Sequence, residues 1–329
     1  MLAVEHVPIP PVGDHDVLLE VRAVSVNRTL DCAVGRDGNG RGVQLPHLLG
    51  VDPSGVIAAV GKGVTNHQIG DRVAVVNHRC GTCRYCLAGR EEDCRSDLRV
   101  GIHRWGGYAE YTVVHADATV LVPQALAFAD ATAIVRHFPT AFALARRAGL
   151  VSGEWALVMG AAGSLGGACV QVAKRLGARV IAAAGTDERV RAAVAYGAEA
   201  GVNYRAQDLA AEVLRITDGQ GADVVFENIA DPTLWPGAFN SLAYRGRLVT
   251  AGAHGGGKVE IDVAQLYSRR NRIIGGPGNS RADVARALAI AHDVRLAIGC
   301  VLPLADAAEA HRLVEDGRVL GKIILDPTA

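Results

Sequence analysis

The sequence of 329 residues lacks several features that would mark whole classes of protein. It carries no net charge, because 34 Lys and Arg residues balance 34 Asp and Glu residues, so it offers no basic footprint for nucleic acid or for an anionic membrane. No stretch reaches the roughly 18 uncharged apolar residues that a membrane span needs. The first 20 residues contain Glu5 and three prolines, where a signal peptide has a basic start and an apolar run. We therefore predict a cytoplasmic protein that binds neither nucleic acid nor membrane.

Aromatic side chains are also scarce, at 5%, whereas glycine is abundant, with 39 residues. The glycine content exceeds the usual share of about 7% and predicts many tight turns and close backbone approaches. At roughly 150 residues per domain, the length predicts two domains or one large one.

The arrangement of apolar residues changes along the chain. From Val17 to about Val122, short β-type runs are separated by turn residues, which is typical of an all-β region. From about Ala125 to Gly276, apolar strands alternate with helical stretches, which predicts βαβ units and a parallel sheet. The last fifty residues hold two amphipathic helices and a closing strand. The α/β block is therefore predicted to be inserted between a β-rich first part and a short return segment.

A dinucleotide-binding fingerprint follows the predicted strand WALVMG (155–160). Small residues stand at the GxGxxG spacing, with an alanine in place of the first glycine, in the turn Ala161, Gly163, Ser164, Leu165 and Gly166. Apolar residues at helical spacing come next. Small residues here allow a pyrophosphate to approach the backbone amides at the positive end of a helix. The alternative is a tight glycine turn that binds nothing.

The next strand (178–184) ends about twenty residues later, where NAD sites carry an acidic residue for the ribose 2′-hydroxyl. Thr186 and Arg189 follow this strand instead, with Tyr204 further on. A hydroxyl, a guanidinium and a phenol suit a 2′-phosphate, so we expect NADPH in preference to NADH. The alternative is that Arg189 faces solvent, and the neighbouring Asp187 counts against a phosphate.

Four of the seven cysteines lie within fifteen residues of one another: Cys80, Cys83, Cys86 and Cys94. In a reducing compartment such a cluster holds metal more often than disulfides. The spacing CxxCxxCx7C allows four thiolates to surround one tetrahedral zinc with no open position, which is typical of a structural site. We expect one structural Zn²⁺ per chain, the alternative being four free thiols on a mobile lobe.

Together these motifs resemble the medium-chain dehydrogenase/reductase family, which includes the zinc alcohol dehydrogenases and the quinone reductases. The resemblance also rests on GVDPSG (50–55), GDRV (70–73), GGYAEY (106–111) and GK (321–322). It implies a GroES-like β-rich catalytic domain over 1–122 and 277–329, with a zinc lobe at about 77–100. It also implies a doubly wound Rossmann NADP(H)-binding domain over 123–276, an active site in the cleft between the domains, and a homodimer or homotetramer. Met1–Glu5 enters the family pattern about ten residues late, which leaves open a missing first strand or a misassigned start.

The chain departs from the zinc alcohol dehydrogenases at their catalytic zinc. Those enzymes have a cysteine near the end of the first β region, a Gly-His-Glu turn, and a cysteine or aspartate at the start of the Rossmann domain. This sequence has Asn27, Gly50-Val51-Asp52 and Arg136 at those places. These residues do not make a plausible zinc triad. The chain therefore resembles the zinc-free branch, whose members use NADPH to deliver hydride to an enone, an enoyl thioester or a quinone.

Such chemistry requires one group to stabilise an enolate oxygen and another to donate a proton. Arg136 is the leading candidate for the oxygen; alternatively it pairs with Asp52 in the vacated zinc pocket, and both can hold because a paired guanidinium keeps spare donors. His137 is the candidate proton donor. Thr29, at the position of the hydroxyl in the family's proton relay, is the second candidate. Asn27 is predicted to bind the substrate or the nicotinamide ribose.

The family pattern implies further cofactor contacts at the ends of later strands and near the C-terminus: Asn228, Ile229, Gly252, Pro277, Gly278 and Lys322. Among these, Lys322 matches the basic residue that meets the pyrophosphate. For the glycines and the proline, turn geometry alone is the alternative.

Three functions follow from this interpretation, all with a small-molecule substrate or ligand. The first is an NADPH-dependent reductase of an activated C=C bond or a quinone that works without catalytic zinc. The second is an alcohol dehydrogenase or carbonyl reductase of the same family. The third is an NADPH-binding protein without catalytic activity.

Overall fold

The chain divides into two compact units. A computed structural model describes residues 2–37, 42–95, 98–276 and 278–329. Unit 1 comprises residues 1–136 and 284–329, and unit 2 comprises residues 137–283. The predicted domain limits at 122 and 277 stand as sequence predictions; the two divisions seen here fall inside helices.

The N-terminal part of unit 1 is built mainly from antiparallel strands: β1 (Asp16–Ser25), β2 (Ser54–Val60), β3 (Arg72–Val75), β4 (Tyr111–His115) and β5 (Thr119–Leu121). Its helices are α1 (Ala33–Asp37), α2 (Arg84–Leu87) and α3 (Phe128–Ala148), the last of which continues into unit 2. A π-helical turn covers Arg28–Cys32, and 3₁₀ turns cover Glu91–Asp93 and Ala116–Ala118. In β1, every second residue from Val17 to Val21 is buried, which is the period of a strand with one face on the core.

Unit 2 is a parallel sheet with helical crossovers. Its strands are β6 (Trp155–Met159), β7 (Arg179–Ala184), β8 (Ala200–Asn203), β9 (Ala222–Glu227), β10 (Leu242–Thr250) and β11 (Arg272–Gly275). Its helices include α4 (Ser164–Arg175), α5 (Asp187–Val194), α6 (Leu209–Ile216), α7 (Trp235–Asn240) and α8 (Val263–Ser268). The spatial order β11-β10-β9-β6-β7-β8 is that of a doubly wound sheet, whose strand order reverses between β6 and β9. All five residues of β6 are buried, because helices cover both faces of such a sheet.

The chain then completes unit 1 with α9 (Arg281–Ala289), β12 (Ile298–Pro303), a 3₁₀ turn (Leu304–Asp306), α10 (Ala307–Asp316) and β13 (Lys322–Asp326). The resulting sheet has the order β12-β13-β1-β2-β3-β5, and β4 also pairs with β1. Antiparallel registers set Ser25 opposite Ile324 and Ala23 opposite Ser54. The end of β1 therefore lies between the start of β13 and the start of β2.

Each unit has its own apolar core. In unit 2, Leu157, Met159 and Leu248 from the sheet pack with Trp235 and Phe239 from α7. In unit 1, one cluster gathers residues of β1, β13 and α10, and a second gathers residues of β1 to β4. Among the described residues, no helix combines the length and the apolar character that crossing a membrane requires.

Candidate active site and metal centre

Four cysteine thiols meet in the segment between β3 and β4. The Sγ atoms of Cys80, Cys83, Cys86 and Cys94 all lie within 4.8 Å of one another. Cys80 Sγ is 3.6 Å from Cys94 Sγ and 4.0 Å from Cys86 Sγ. Four thiolates at about 2.3 Å from a tetrahedral zinc are separated by roughly 3.8 Å, so the thiols fit a closed zinc site.

Backbone amides support thiolate charge in this lobe. The Cys83 N–H donates to Cys80 Sγ at 3.3 Å, and the Cys80 N–H donates to Cys94 Sγ at 3.4 Å. Within the described part of the chain, no other group of three or more His, Cys, Asp or Glu side chains is arranged to hold a metal ion. The four cysteines are thus arranged like a structural zinc site, with four ligands and no open position.

The predicted cofactor residues of unit 2 lie where parallel strands end. Ala161, Gly163, Ser164, Leu165 and Gly166 follow β6, Thr186 and Arg189 follow β7, Tyr204 follows β8, Asn228 and Ile229 follow β9, Gly252 follows β10, and Gly278 follows β11. Carboxyl ends of parallel strands meet at one edge of a sheet, and ligands of doubly wound sheets bind there at the point where the strand order reverses. Pro277 lies outside the described residues.

The turn after β6 leads directly into α4. Gly163 is the N-cap of this helix, so the free amides of its first turn face the end of the sheet. A Cβ atom at Gly166 would lie 2.1 Å from the Gly160 carbonyl oxygen, so only glycine allows the helix to pass this close to the strand. A Cβ at Gly163 would meet only that same oxygen, at 3.2 Å. The turn thus fits an anionic group such as a pyrophosphate.

Basic and phenolic groups surround Gly185 at the end of β7. A Cβ at Gly185 would lie 3.2 Å from the Tyr204 ring and 3.3 Å from Arg205 Nε. Burial raises the pKa of the Tyr204 phenol, and the charges of Arg205 and Arg189 oppose that rise. The sequence analysis did not single out Arg205 as a cofactor contact, although this residue directly follows Tyr204.

Two other residues near Gly185 have local structural partners. Thr186 is the N-cap of α5, and its hydroxyl accepts the Arg189 N–H at 3.3 Å. The Asp187 carboxylate accepts a hydrogen bond from Asn203 Nδ2 at 2.7 Å. The Asp187 carboxylate, whose charge would repel a 2′-phosphate, is therefore bonded to the side-chain amide of Asn203.

The segment after β9 contains an unsatisfied acceptor. Asn228 is 6% exposed; its Nδ2 lies 4.0 Å from Cys169 Sγ, and its Oδ1 accepts no hydrogen bond from the described residues. The Glu227 carboxylate, also missed from the sequence, accepts the N–H groups of Ile229 and Ala230 at 3.0 and 2.9 Å. Buried polar atoms normally have a partner, so Asn228 Oδ1 fits a donor supplied by a ligand, such as a hydroxyl or an amide. Together with the turn after β6, these residues fit a bound dinucleotide.

A group of buried polar residues occupies the end of β1 in unit 1, and we call it the buried polar cluster: Ser25, Asn27, Asp31, Asp52 and Lys322. Ser25 donates to Asp52 through its backbone N–H at 3.0 Å and through Oγ at 2.6 Å. Lys322 Nζ donates to Ser25 Oγ at 2.5 Å and to Asn27 Oδ1 at 2.8 Å, and it lies 3.8 Å from Asp52 Oδ2. The strand registers bring these residues together, because Ser25 ends β1, Lys322 begins β13 and Asp52 lies two residues before β2.

The Asn27 amide links the two carboxylates of the cluster. Its Nδ2 donates to Asp52 Oδ2 at 3.1 Å and to Asp31 Oδ2 at 3.0 Å. Asp31 also accepts the backbone N–H groups of Asn27 and Gly50, at 2.8 and 3.0 Å. These bonds fix which way the amide faces, so Asn27 Oδ1 is turned toward the Lys322 ammonium.

Burial shifts the proton affinities in the cluster. Asp31 is 1% exposed, and desolvation together with the nearby Asp52 charge raises its pKa to about 6. Lys322 is 4% exposed, and desolvation lowers its pKa to about 8, while the Asp52 carboxylate opposes the change. The cluster therefore keeps both charge signs in a dry environment, where their interactions are strong.

The predicted catalytic residues lie at different places relative to this cluster. Asn27 and Asp52 belong to it, and Ser25 and Asp31 are members that the sequence interpretation missed. Thr29 is exposed on the π-helical turn that begins one residue after Asn27. Arg136 and His137 are half-buried in α3, and the Arg136 charge contributes to lowering the pKa of Lys322. The pyrophosphate contact of Lys322 stays a prediction; its ammonium here is bonded within unit 1.

Two family models match the chain. The model described as "Alcohol dehydrogenase GroES-like domain" matches residues 13–124, and the model described as "Zinc-binding dehydrogenase" matches residues 164–293. The first covers β1 to β5 of unit 1, and the second begins with α4. Their order along the chain confirms the predicted α/β fold class, with a GroES-like domain and a Rossmann domain.

Individual relatives match over nearly the whole chain. An alcohol dehydrogenase of Geobacillus stearothermophilus is 31% identical over 98% of this chain and 96% of its own length. A quinone oxidoreductase of Sus scrofa is 29% identical over 97% and 91%. The crystal structure of an NAD-dependent alcohol dehydrogenase superposes with a TM-score of 0.89 at 35% identity, over 98% of this chain and 94% of that one. The predicted resemblance is thus confirmed, and the chain belongs to the medium-chain dehydrogenase/reductase family as one of its oxidoreductases.

Proposed function

We propose that this protein is an NADPH-dependent reductase of an activated C=C bond, in an enone or enoyl compound, or of a quinone, and that it works without a catalytic zinc. The observation that carries the proposal is the Lys322 ammonium bonded to Asn27 beside Asp52. The resemblance puts Asn27 and Asp52 where the zinc enzymes hold their catalytic metal. A divalent cation and an ammonium repel each other strongly in a buried site, so the Lys322 ammonium opposes the binding of a metal there.

The choice of cofactor is supported by the residues around Gly185. Arg189, Arg205 and Tyr204 offer two positive charges and a phenol at the end of β7, which suits a 2′-phosphate. The turn after β6 and Asn228 would hold the pyrophosphate and the ribose or nicotinamide. When bound, NADPH supplies the hydride.

This chain's own residues must handle the oxygen and the proton. A conjugated substrate accepts hydride at its β-carbon and develops negative charge on oxygen, which Arg136 would stabilise as a fixed cation. His137 would donate the proton that completes the reduction, and Thr29 is the second candidate. The Asn27 amide bonds within the buried polar cluster through both its nitrogen and its oxygen. Its role would be to connect that cluster to the turn carrying Thr29.

The reaction itself is tested by product identification. The purified protein is given NADPH and one α,β-unsaturated ketone, and the product is identified by mass spectrometry and NMR. We expect the saturated ketone. An allylic alcohol as the product would overturn the proposal and favour the second candidate, a carbonyl reductase, which the 31% identical alcohol dehydrogenase supports.

Metal content provides a test that does not depend on turnover. We expect one zinc per chain by elemental analysis, and none in the Cys94→Ser variant, because three thiolates no longer close the site. Two zinc ions per chain in the unaltered protein would contradict the zinc-free mechanism.

Cofactor preference is measured as the ratio of kcat/KM for NADPH to that for NADH. We expect a ratio well above one, which Arg205→Ala lowers about tenfold through KM, since one charge-assisted contact is worth about 1.5 to 3 kcal/mol. Arg215→Ala, on the exposed face of α6, is the matched control. A preference for NADH would contradict this part of the proposal.

A further inference from the structure

The buried polar cluster surrounds its ammonium with three oxygen atoms, two from the end of β1 and one from the segment before β2. Ser25 Oγ, Asn27 Oδ1 and Asp52 Oδ2 lie 2.5, 2.8 and 3.8 Å from Lys322 Nζ. A carboxylate, an amide oxygen and a hydroxyl are the donors that hard cations take in proteins. The cluster therefore has the chemistry of a cation site, and its occupant is a side chain of the same protein.

A positive charge at this place offsets part of the cost of burying the two carboxylates. Asp31 and Asp52 are each 1% exposed, and Asn27 Nδ2 bridges their Oδ2 atoms. Two buried carboxylates this near to each other are unfavourable unless positive charge balances them. Lys322 supplies that charge within the cluster, and Arg136 supplies a further positive charge within unit 1.

The ammonium is held in place by the sheet and not by a flexible loop. The Val26 N–H donates to the Ile323 carbonyl at 2.9 Å, which continues the pairing of β1 with β13 and sets Lys322 opposite Asn27. The Asn27 carbonyl in turn accepts the N–H groups of Leu30 and Cys32, both at 3.2 Å. The orientation of Asn27 is thus coupled to the π-helical turn that carries Thr29.

From these contacts we infer that Lys322 is a positioning residue: its ammonium is the resident cation of the buried polar cluster, and without it the cluster binds an external primary alkylammonium ion. This inference deepens the proposed function, on which its catalytic part rests, by naming the cation that is bonded to Asn27 and lies beside Asp52. Its binding part does not depend on any reaction.

The binding test uses the Lys322→Ala variant of the full chain with its zinc bound. This substitution removes Cγ, Cδ, Cε and Nζ, which are the heavy atoms of n-propylammonium. Thermal unfolding is followed against propylammonium chloride, with sodium chloride holding the ionic strength constant. We expect a saturable rise of several degrees in the variant and none in the unaltered protein, because a ligand that binds only the folded state stabilises it.

Two controls separate charge from volume. 1-Propanol has nearly the same shape as propylammonium without the charge, and Lys322→Met fills the space without an ammonium. Neither 1-propanol on Lys322→Ala nor propylammonium on Lys322→Met is expected to raise the unfolding temperature. An equal rise in either control would mean simple cavity filling and would overturn the inference, as would no saturable rise in folded Lys322→Ala.

The positioning role is tested by kinetics. We expect Lys322→Ala and Lys322→Met to lower kcat for enone reduction at least tenfold, measured at saturating NADPH. Propylammonium should restore a large part of the loss in the alanine variant only. Unchanged kcat in Lys322→Met would overturn the positioning role.

Failure of the variant to fold and failure of the protein to turn over substrate have different consequences. If Lys322→Ala does not fold, it is refolded with propylammonium; recovery of zinc-loaded, folded protein supports the cation site, and failure to recover overturns it. If the unaltered protein does not reduce enones or quinones, the proposed function fails, while the thermal test still decides whether the cluster is a cation site.

Discussion

Each unit of this protein contains a buried ionic cluster, and the two clusters are built differently. In unit 2, Arg247 donates to both Glu154 oxygens at 2.8 Å and to the carbonyls of Ala148 and Gly149 at 2.9 and 3.0 Å. One cation meets one carboxylate there, with two parallel hydrogen bonds. Burial raises the pKa of Glu154, but the hydrogen bonds from Arg247 and from the Val151 N–H, together with the Arg247 charge, outweigh this effect and leave the pKa below its usual range.

The cluster of unit 1 has two carboxylates around one ammonium, and its pKa shifts go the other way. Burial raises the pKa of Asp31 to about 6 and lowers that of Lys322 to about 8. Burial thus disfavours the charged form of both groups. The Arg247 pair thus stabilises the fold, whereas the Lys322 cluster maintains charge at a cost. Costly buried charge of this kind is concentrated at functional sites.

The largest expected effect comes from breaking the pair of unit 2. Arg247→Met leaves the Glu154 carboxylate half-buried and unpaired, and we expect a loss of about 3 to 5 kcal/mol in the free energy of unfolding by urea. Replacing both Arg247 and Glu154 by methionine should recover much of the loss, because no unpaired charge remains. A single variant as stable as the unaltered protein would show that the pair contributes nothing.

The second prediction concerns pH and separates the two clusters. The pKa of Lys322 in the folded protein is about 8, lowered from 10.5. Between pH 8 and 10.5 the unfolded chain holds the Lys322 proton more tightly than the folded protein does. The contribution of Lys322 to stability is therefore fully present above pH 10.5 and is lost as the pH falls through 8. The pKa of Asp31 is about 6, raised from 3.8, so its contribution is present below pH 3.8 and is lost as the pH rises through 6.

The cluster of unit 1 is therefore least stabilising between pH 6 and 8. We expect the free energy of unfolding, taken as the difference between the unaltered protein and Lys322→Met, to increase from pH 8 to 10.5. One pKa unit corresponds to about 1.4 kcal/mol, so the increase is on the order of 3 kcal/mol. Urea unfolding across this range measures it, and a flat difference curve would contradict the lowered pKa.

A smaller effect is expected from single hydroxyls, one in each unit. Ser25 Oγ accepts from Lys322 and donates to Asp52, whereas Ser241 Oγ donates to the Gly237 carbonyl at 2.7 Å. Ser25→Ala should lower the free energy of unfolding by about 2 kcal/mol and Ser241→Ala by about 1, since hydrogen bonds to charged groups are stronger than neutral ones. Equal losses would show that the charges around Ser25 add nothing.

The smallest effect serves as the reference for both clusters. Arg179 and Glu199 form an ion pair at 3.0 Å, with about half of each side chain exposed, at 52% and 48%. Glu199→Gln should change the free energy of unfolding by less than about 0.5 kcal/mol, because water and salt screen an exposed pair. A loss as large as that of Arg247→Met would mean that burial does not explain the difference.

Much of the architecture was predictable because its signals are local. The four cysteines occupy fifteen consecutive positions, and the turn from 161 to 166 directly joins a strand to a helix. Arg205 escaped prediction because an arginine after a strand is equally typical of an exposed loop. Glu227 escaped because its partners are the backbone amides of its own turn, which no side-chain pattern reveals.

The sequence by itself determined the family, the order of the two domains, the four-cysteine lobe and the residues at the ends of the parallel strands. All of these depend on residues close together in the chain or on the alternation of apolar positions. Only the tertiary structure decided that Lys322 meets Ser25, Asn27 and Asp52. These residues come from three segments separated by up to 297 positions, and two strand registers bring them together. A one-residue change in either register would turn the side chains of that strand to the opposite face.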